Sequence, residues 1–279
     1  MNYILPNLPK RSPSGHKGTF GTILIIGGHQ AKTDVAFGGA ALAGLAALRV
    51  GVGQCIFAMP DSVLHDAITI APQATGFTLS SSNLDALVDS IRSNVNCVLV
   101  GPALGHGAMQ TKVLQAVLRC GKPIVLDADA LNIIARQPPI FQAAKSIITP
   151  HPVEFQRLLD AYDITEKDKD KAADALASKM KTVIVLKNSR TYISDGITRY
   201  VVEKPNAALA AAGTGDVLSG IIAGLVTQFY PSALSLFDSA VLGVLIHSKS
   251  GEIWAKRNGY RGILLTELIK LIPEAQESL

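Results

Sequence analysis

Aromatic residues make up only 5% of this 279-residue chain and charged residues only 17%, while 48% is hydrophobic. Burial therefore falls to small and aliphatic side chains, a composition suited to helices packed closely on a parallel sheet. Cysteine is scarce. Cys55, Cys97 and Cys120 lie far apart with no CxxC pair, which excludes a disulfide framework and argues against a zinc site. Lysine and arginine are scattered, so the net charge of +4 carries no basic stripe of the kind nucleic acid needs, although it suits small anions. Two apolar stretches fail as membrane spans. Residues 36–48 fall short of the ~20 that a span requires. Residues 207–226 hold a Gly220/Gly224 GxxxG pair but carry Asp216 in their middle. No basic start followed by an apolar run is seen over residues 1–18, so no secretory leader is expected and the cytoplasm is the expected compartment.

What is present is an alternation of short β-branched runs and longer helical patterns. Strands are predicted at Thr22–Ile26, 55–58, Cys97–Val100, Ile124–Leu126, Ser146–Ile148 and Val183–Leu186. Helices are predicted at 37–49, 84–91, 111–118, 131–135, 154–159 and 165–180. At 191–202 the rhythm changes to a β-hairpin turning at Asp195-Gly196. Three helical patterns follow, at 216–228, 233–257 and 264–272, the last stopped by Pro273. Strands alternating with helices predict a mostly parallel sheet covered on both faces, in one α/β domain over residues 1–279 with no linker or repeat.

Glycine and polar motifs stand directly after the predicted strands: Gly27-Gly28, Gly101 to Gly105, Asp127 to Asp129, Thr149 to Glu154, and Lys187. The carboxyl ends of parallel strands form the ligand crevice of an open α/β sheet, so these motifs should converge. The strongest is Gly213-Thr214-Gly215-Asp216 before an apolar helix. Glycines let backbone approach a ligand, and the free amides of a helix start attract an anion. Asp216, in the first helical turn, is placed to take a proton from a hydroxyl beside a bound phosphoryl group. A turn with a simple helix cap fits the same four residues.

Taken together, these motifs resemble the ADP- or ATP-dependent NAD(P)H-hydrate dehydratases of the ribokinase-like superfamily. The resemblance runs through His16-Lys17-Gly18, Gly39-Ala40-Ala41, Gly101-Pro102-Ala103-Leu104-Gly105, Asp127 to Asn132, Thr149 to Glu154, Leu186-Lys187, and Asn206 to Asp216. It implies a ribokinase-like fold and a lyase acting in nicotinamide nucleotide repair. Such an enzyme returns the S form of hydrated NADH or NADPH to NAD(P)H by phosphorylating the added hydroxyl and losing phosphate. By the same resemblance Asp216 deprotonates the C6 hydroxyl, and the amides of Gly213, Thr214 and Gly215 form an anion hole. Ala40, Gly105 and His151, with Asp216, contact the hydrated dinucleotide. Lys187, Asn188, Ser189, Arg190 and Thr191, with Gly215, hold ADP or ATP. Glu154 orders water around Mg²⁺. A homo-oligomer is expected, with a tetramer as its form. An N-terminal epimerase domain, frequent in the family, is not expected, because the first motif begins near His16.

Plainer readings stand beside these. His151 between two prolines fits a surface turn, and Lys187 fits a solvated strand-end charge. For Asp127 and Asp129, capping of the short helix near Leu131 is the expectation adopted. Departures from the family pattern are Asn188 for a glycine after the lysine, Ala103 for the middle glycine of its loop, Ala211-Ala212 for Thr-Gly, and Phe37 for a tyrosine. The rival is a small-alcohol kinase of the same superfamily, acting on a thiazole or pyrimidine. A nucleotide-binding regulatory protein without turnover is the alternative from another class.

Overall fold

The computed structural model describes residues 3–141 and 145–279. Five consecutive β-branched or leucine residues, all buried, form strand β1 (Thr22–Ile26), an interior strand of the sheet, third from one edge. Such continuous apolar runs mark strands covered on both faces. A two-residue ribbon follows, β2 (His29–Gln30) and β3 (Val35–Ala36), and then helix α1 (Gly38–Val50). Next come β4 (Gln54–Met59), α2 (Asp61–Ile70), β5 (Thr75–Thr78), α3 (Leu84–Asn94), β6 (Cys97–Val100) and α4 (Ala108–Leu118). The middle of the chain gives β7 (Ile124–Leu126), α5 (Asp129–Arg136), β8 (Ser146–Ile148), α6 (Pro152–Ala161), α7 (Lys169–Met180) and β9 (Val183–Leu186). The hairpin β10 (Thr191–Ser194) and β11 (Arg199–Val202) precedes α8 (Thr214–Phe229), α9 (Leu236–Asn258), α10 (Leu265–Lys270) and α11 (Ile272–Glu277).

The nine-stranded sheet has the order β11-β10-β9-β8-β7-β6-β1-β4-β5. Strands β5 to β9 in this order are parallel, and the hairpin adds two antiparallel strands at one edge. The chain winds outward from β1 through β4 and β5, then crosses to β6 and winds the other way. The topological switch therefore falls between β1 and β6, where ligand crevices form in such sheets. The loops leaving these two strands touch. The Gly28 amide donates to the Pro102 carbonyl at 3.2 Å, and a Cβ on Gly27 would lie 2.1 Å from that oxygen.

One helix pair positions the later chemistry. Helix α1 (GGAALAGLAALRV) and α8 are rich in alanine and glycine and pack in close contact. A Cβ on Gly220 would lie 2.3 Å from the Ala43 carbonyl oxygen, and one on Gly224 would lie 2.3 Å from Val50 Cγ1. The GxxxG pair is thus a packing seam inside a globular core. Among the described residues no helix is long and apolar enough to cross a membrane.

Two sequence expectations are corrected. The helix expected over 165–180 starts at Lys169, because Asp168 caps it by accepting from the amides of Asp170 and Lys171. Pro273 does not end a helix: it occupies the first turn of α11, where its missing N–H is no loss. Helix α2 and strand β5, which complete the β4 edge, were not anticipated.

Candidate active site

Four carboxylates and one lysine gather where β7, β8, β9 and α8 end or begin. Lys187, one residue past β9, holds Asp127, one residue past β7, with Nζ 2.7 Å from Oδ1. The Asp127 side chain is 2% exposed and that of Lys187 19%. Burial, the largest single influence, would push the lysine's pKa down, but the charge and hydrogen bond of Asp127 together with the charges of Glu154 and Asp216 outweigh it and leave it raised. This excludes the solvated strand-end reading of Lys187.

The turn between Asp127 and Asp129 explains their arrangement. Ala128 sits at φ +47, ψ −118, a conformation L-residues rarely adopt, and starts α5 without a side-chain cap. It sends the two carboxylates in different directions. Asp129 Oδ2 accepts from the Gly105 amide at 2.8 Å, and its Oδ1 lies 3.2 Å from His106 Nε2. Neither aspartate caps α5, so that expectation is overturned. Asp129 pins the Gly101–Gly105 loop, and Asp127 anchors Lys187.

Asp216 lies one turn into α8. Gly213, at φ +92, forms the N-cap and makes no side-chain cap, and Asp216 does not cap its own helix either. Instead its carboxylate faces the start of α1: a Cβ on Gly39 would lie 2.8 Å from Oδ2. The close seam between α1 and α8 makes this approach possible, and any side chain at position 39 would have to displace the Asp216 carboxylate. Burial first, and then the charge of Asp127, push the Asp216 pKa up to about 7, with Lys187 opposing. Burial does the same to Glu154, also to about 7, against the opposing amide of His151 and the charge of Lys187.

The amides expected to bind an anion are partly committed. Thr214 donates its amide to the Ala211 carbonyl at 3.3 Å, and its hydroxyl bonds back to the carbonyls of Leu209 and Ala211. The amides of Gly213, Gly215 and Asp216 have no acceptor among the described residues. The expected hole of three consecutive amides is thus shifted, with Thr214 bracing the loop and Asp216 adding a donor. Lys187 adjoins it: a Cβ on Gly215 would lie 3.1 Å from Nζ.

A cavity of about 510 Å³ opens beside this loop. Lys187, Asn188, Ser189, Thr191, Thr214 and Gly215 all line it, as do Asn206, His247 and Ser248. Arg190 does not belong to it. Its guanidinium is drawn off by Asp170, with two contacts of 2.9 Å, and by Glu203 at 3.2 Å. Asn188 bonds its Oδ1 to the Ser189 amide at 2.8 Å.

The residues expected to contact the dinucleotide are placed differently from one another. Gly105, at φ +80, sits under His29, whose ring carbon Cγ would be 3.2 Å from a Cβ there. Ala40 is fully buried against Gly27, so its side chain offers no surface, and what it presents is the start of α1. His151 is the N-cap of α6, its Nδ1 accepting from the amides of Val153 and Glu154 while Glu154 Oε2 accepts from the His151 amide at 2.9 Å. Burial and the nearby Lys187 lower its pKa, which keeps the ring neutral as that role requires. His29 was missed from sequence. Its Nδ1 donates to the Ala103 carbonyl at 2.9 Å and its Nε2 lies 3.2 Å from Asp34 Oδ2, and the Ala103 carbonyl first, then Asp34, raise its pKa against burial. It clamps the loop at Ala103, which holds φ +55 where the family has glycine. Position 188 needs no such conformation, and neither do 211 and 212, so the other departures bring no backbone strain.

Comparison with known proteins gives a consistent set of similarities. A family model described as NAD(P)H-hydrate dehydratase matches residues 23–274. The ADP-dependent (S)-NAD(P)H-hydrate dehydratase of Bacillus subtilis is 30% identical over 278 residues, covering 97% of this chain and 94% of that one. The bifunctional NAD(P)H-hydrate repair enzyme of Coxiella burnetii is 38% identical over 268 residues, covering 95% of this chain and 52% of its own length. The chain thus spans about half the length of the bifunctional relatives it matches. Among solved structures, the ADP/ATP-dependent NAD(P)H-hydrate dehydratase from Bacillus subtilis, co-crystallised with ATP and Mg²⁺, superposes with a TM-score of 0.81. It is 28% identical and covers 98% of this chain and 94% of that one.

Proposed function

The chain belongs to the NAD(P)H-hydrate dehydratase family, and from that premise we propose that it uses ADP or ATP to return the S form of hydrated NADH or NADPH to the reduced dinucleotide. The observation that carries the proposal is Asp216: a half-buried carboxylate with its pKa pushed up to about 7, beside Lys187 and a loop with unclaimed amides.

The chemistry follows from these residues. Hydroxide is a poor leaving group and phosphate a good one. Asp216 takes the proton of the added hydroxyl, whose oxygen attacks the terminal phosphorus of the nucleotide as the bond to its bridging oxygen breaks. The amides of Gly213 and Gly215 and the Lys187 ammonium face the charge in transit. The ring nitrogen then expels phosphate from the same carbon, and loss of a proton from the adjacent carbon restores the double bond. The nucleotide lies in the 510 Å³ cavity, with its phosphates toward Lys187 and Gly215. Gly105 and His151 flank the dinucleotide.

Mg²⁺ fits as a cation brought in on the nucleotide phosphates. Among the described residues no cluster of three His, Cys, Asp or Glu could hold a metal alone. Mg²⁺ keeps several waters and needs only one or two carboxylates beside substrate phosphates. Glu154, buried and anchored by the His151 amide, is the carboxylate that would face those waters. When bound, the ion neutralises phosphate charge.

The test is to incubate purified protein with hydrated NADH, Mg²⁺ and either ADP or ATP, and to follow the reduced nicotinamide absorbance. Recovery that requires nucleotide supports the proposal. Absence of recovery with phosphorylation of a thiazole or pyrimidine alcohol would select the rival kinase.

A further inference from the structure

A separate cavity of about 600 Å³ lies along α5 and α6 and shares no lining residue with the one beside α8. It brings together His106, Asn132, Arg136, Arg157 and Asp160. Two of these tie it to the crevice. His106 follows Gly105 directly, and Asp129 holds both, one oxygen on the Gly105 amide and the other 3.2 Å from His106 Nε2. Arg157 stands close enough to His151 for its charge to help lower that ring's pKa. The cavity thus opens where Gly105 and His151 flank the dinucleotide. Its charge is unbalanced. Arg157 Nη1 donates to Asn132 Oδ1 at 2.7 Å, a bond that bridges α6 to α5 and fixes the guanidinium. The other donors of Arg157, and the whole Arg136 guanidinium, meet no acceptor among the described residues. Asp160 is the one acid in the lining, and its Oδ1 already accepts from Gln156 at 2.8 Å. Arg136, in the last turn of α5, suits that helix's dipole unaided, but Arg157 stands mid-helix, outside the last turn of α6.

We propose that this cavity takes the 2′-phosphate of hydrated NADPH, and that Arg157 and Arg136 make the chain prefer the phosphorylated dinucleotide. The inference rests on the hydrated dinucleotide being the substrate, as proposed above. Helices α5 and α6 begin at the crevice, at Asp129 and Pro152, and run back from it. Arg157 is the sixth residue of α6 and Arg136 the eighth of α5, which sets them roughly 8 Å and roughly 10 Å down those axes. A dinucleotide with its hydrated ring beside Asp216 keeps its pyrophosphate one ribose away. Its 2′-phosphate lies on the second ribose, beyond that, and has the longer reach. Charge points the same way. A phosphate monoester carries about two charges and three free oxygens, more than either phosphate of a pyrophosphate. Two forked guanidiniums with donors to spare match such a group, and arginine is the usual reader of this phosphate in dinucleotide sites. The unphosphorylated ribose of hydrated NADH would give them only hydroxyls.

Absorbance assays of the intact protein with ADP, Mg²⁺ and either hydrated dinucleotide test this through KM. For the unaltered protein KM should be at least about tenfold lower for hydrated NADPH, the worth of one charged hydrogen bond, with kcat alike. Arg157→Gln should remove most of that preference by raising KM for hydrated NADPH, and Arg157→Lys should keep part of it. The double variant with Arg136→Gln should bring the ratio of the two KM values near one. Titration calorimetry with the products NADPH and NADH, after ADP and Mg²⁺ have filled the cavity beside α8, should give the same order without turnover. Added salt should shrink the ratio. Equal KM and equal binding for the two dinucleotides in the unaltered protein would overturn the inference alone. So would an equal rise for both in the arginine variants, which would leave the pair a pyrophosphate or purely structural role. Turnover of neither hydrated dinucleotide would overturn the dehydratase reading, and this inference with it.

Discussion

Replacing Asp216 by asparagine should produce a protein that is more stable and nearly inactive. The carboxyl ordinarily titrates at 3.8 and here at about 7, chiefly because it is buried. That gap corresponds to a folded-state penalty of about 4 kcal/mol on the ionised group. The sign follows from proton binding. Between these two pH values the folded state holds a proton that the unfolded state has lost, so stability falls as pH rises through the window. Below 3.8 both states are protonated and the penalty is absent. Asparagine removes the charge but brings an amide to bury, and it takes from Lys187 one of the carboxylates facing it. About half the penalty, about 2 kcal/mol, should therefore be recovered above pH 7, which for a chain of this size raises the melting temperature by about 4 °C. At pH 5 the gain should shrink to less than half. Turnover should fall by roughly a hundredfold to ten-thousandfold, the usual worth of a general base. Thermal melts of both proteins at pH 5 and pH 8, with the absorbance assay alongside, check all three numbers. A melting shift that ignores pH, or turnover within tenfold of the unaltered protein, would refute the assignment of Asp216 as a strained base.

Gly39→Ala should lower turnover steeply while sparing nucleotide affinity, because the new methyl would stand 2.8 Å from Asp216 Oδ2 and must push the carboxylate aside; calorimetry with ADP beside the turnover assay separates the two effects. Lys187→Met should cost about 3–5 kcal/mol in urea unfolding, since it leaves Asp127 buried without its partner. The double variant Lys187→Met with Asp127→Leu should regain most of that stability and none of the activity. The pH profile of kcat/KM should rise with pH to a limb near 7, because Asp216 acts only when ionised. A limb near 4 would show a carboxylate untouched by burial.

The strands that carry the site were legible because each is a short apolar run closed by glycine or a polar residue, and such runs give buried parallel strands their signature. Cys97–Val100, Ile124–Leu126 and Val183–Leu186 end where expected, and the convergence of their following residues is a property of parallel topology. Strand β5 (Thr75–Thr78) escaped notice because an edge strand reading TGFT, mostly exposed, has neither a buried run nor a clean alternation. The partnership of Lys187 with Asp127 spans 60 positions and leaves no local trace. His247 was illegible for a related reason. It stands within a long apolar helix, where a single histidine looks like any half-buried residue, and only the packing of α9 beside the 207–215 loop turns it into a cavity wall. Arg190 misled in the opposite direction. Its place after Lys187 suggested a ligand contact, yet two acidic residues from distant segments hold it outside.

The composition noted first, short of aromatics and rich in alanine and glycine, bears directly on the chemistry. An aspartate at its ordinary pKa is too weak a base to draw a proton from an alcohol efficiently at neutral pH, and base strength rises with pKa. Larger side chains on α1 or α8 would hold the two helices apart and admit water to the carboxylate. Small ones let the helices close until Gly39 meets Asp216, and the burial that results is the first cause of the raised pKa. Asp127 contributes the second cause and at the same time orients Lys187, whose charge keeps Asp216 ionisable in a place where an isolated carboxylate would stay neutral. The strength of the base is therefore set by the packing of two small-residue helices, and substitutions along that seam, far from any ligand, should tune it through the distance between them.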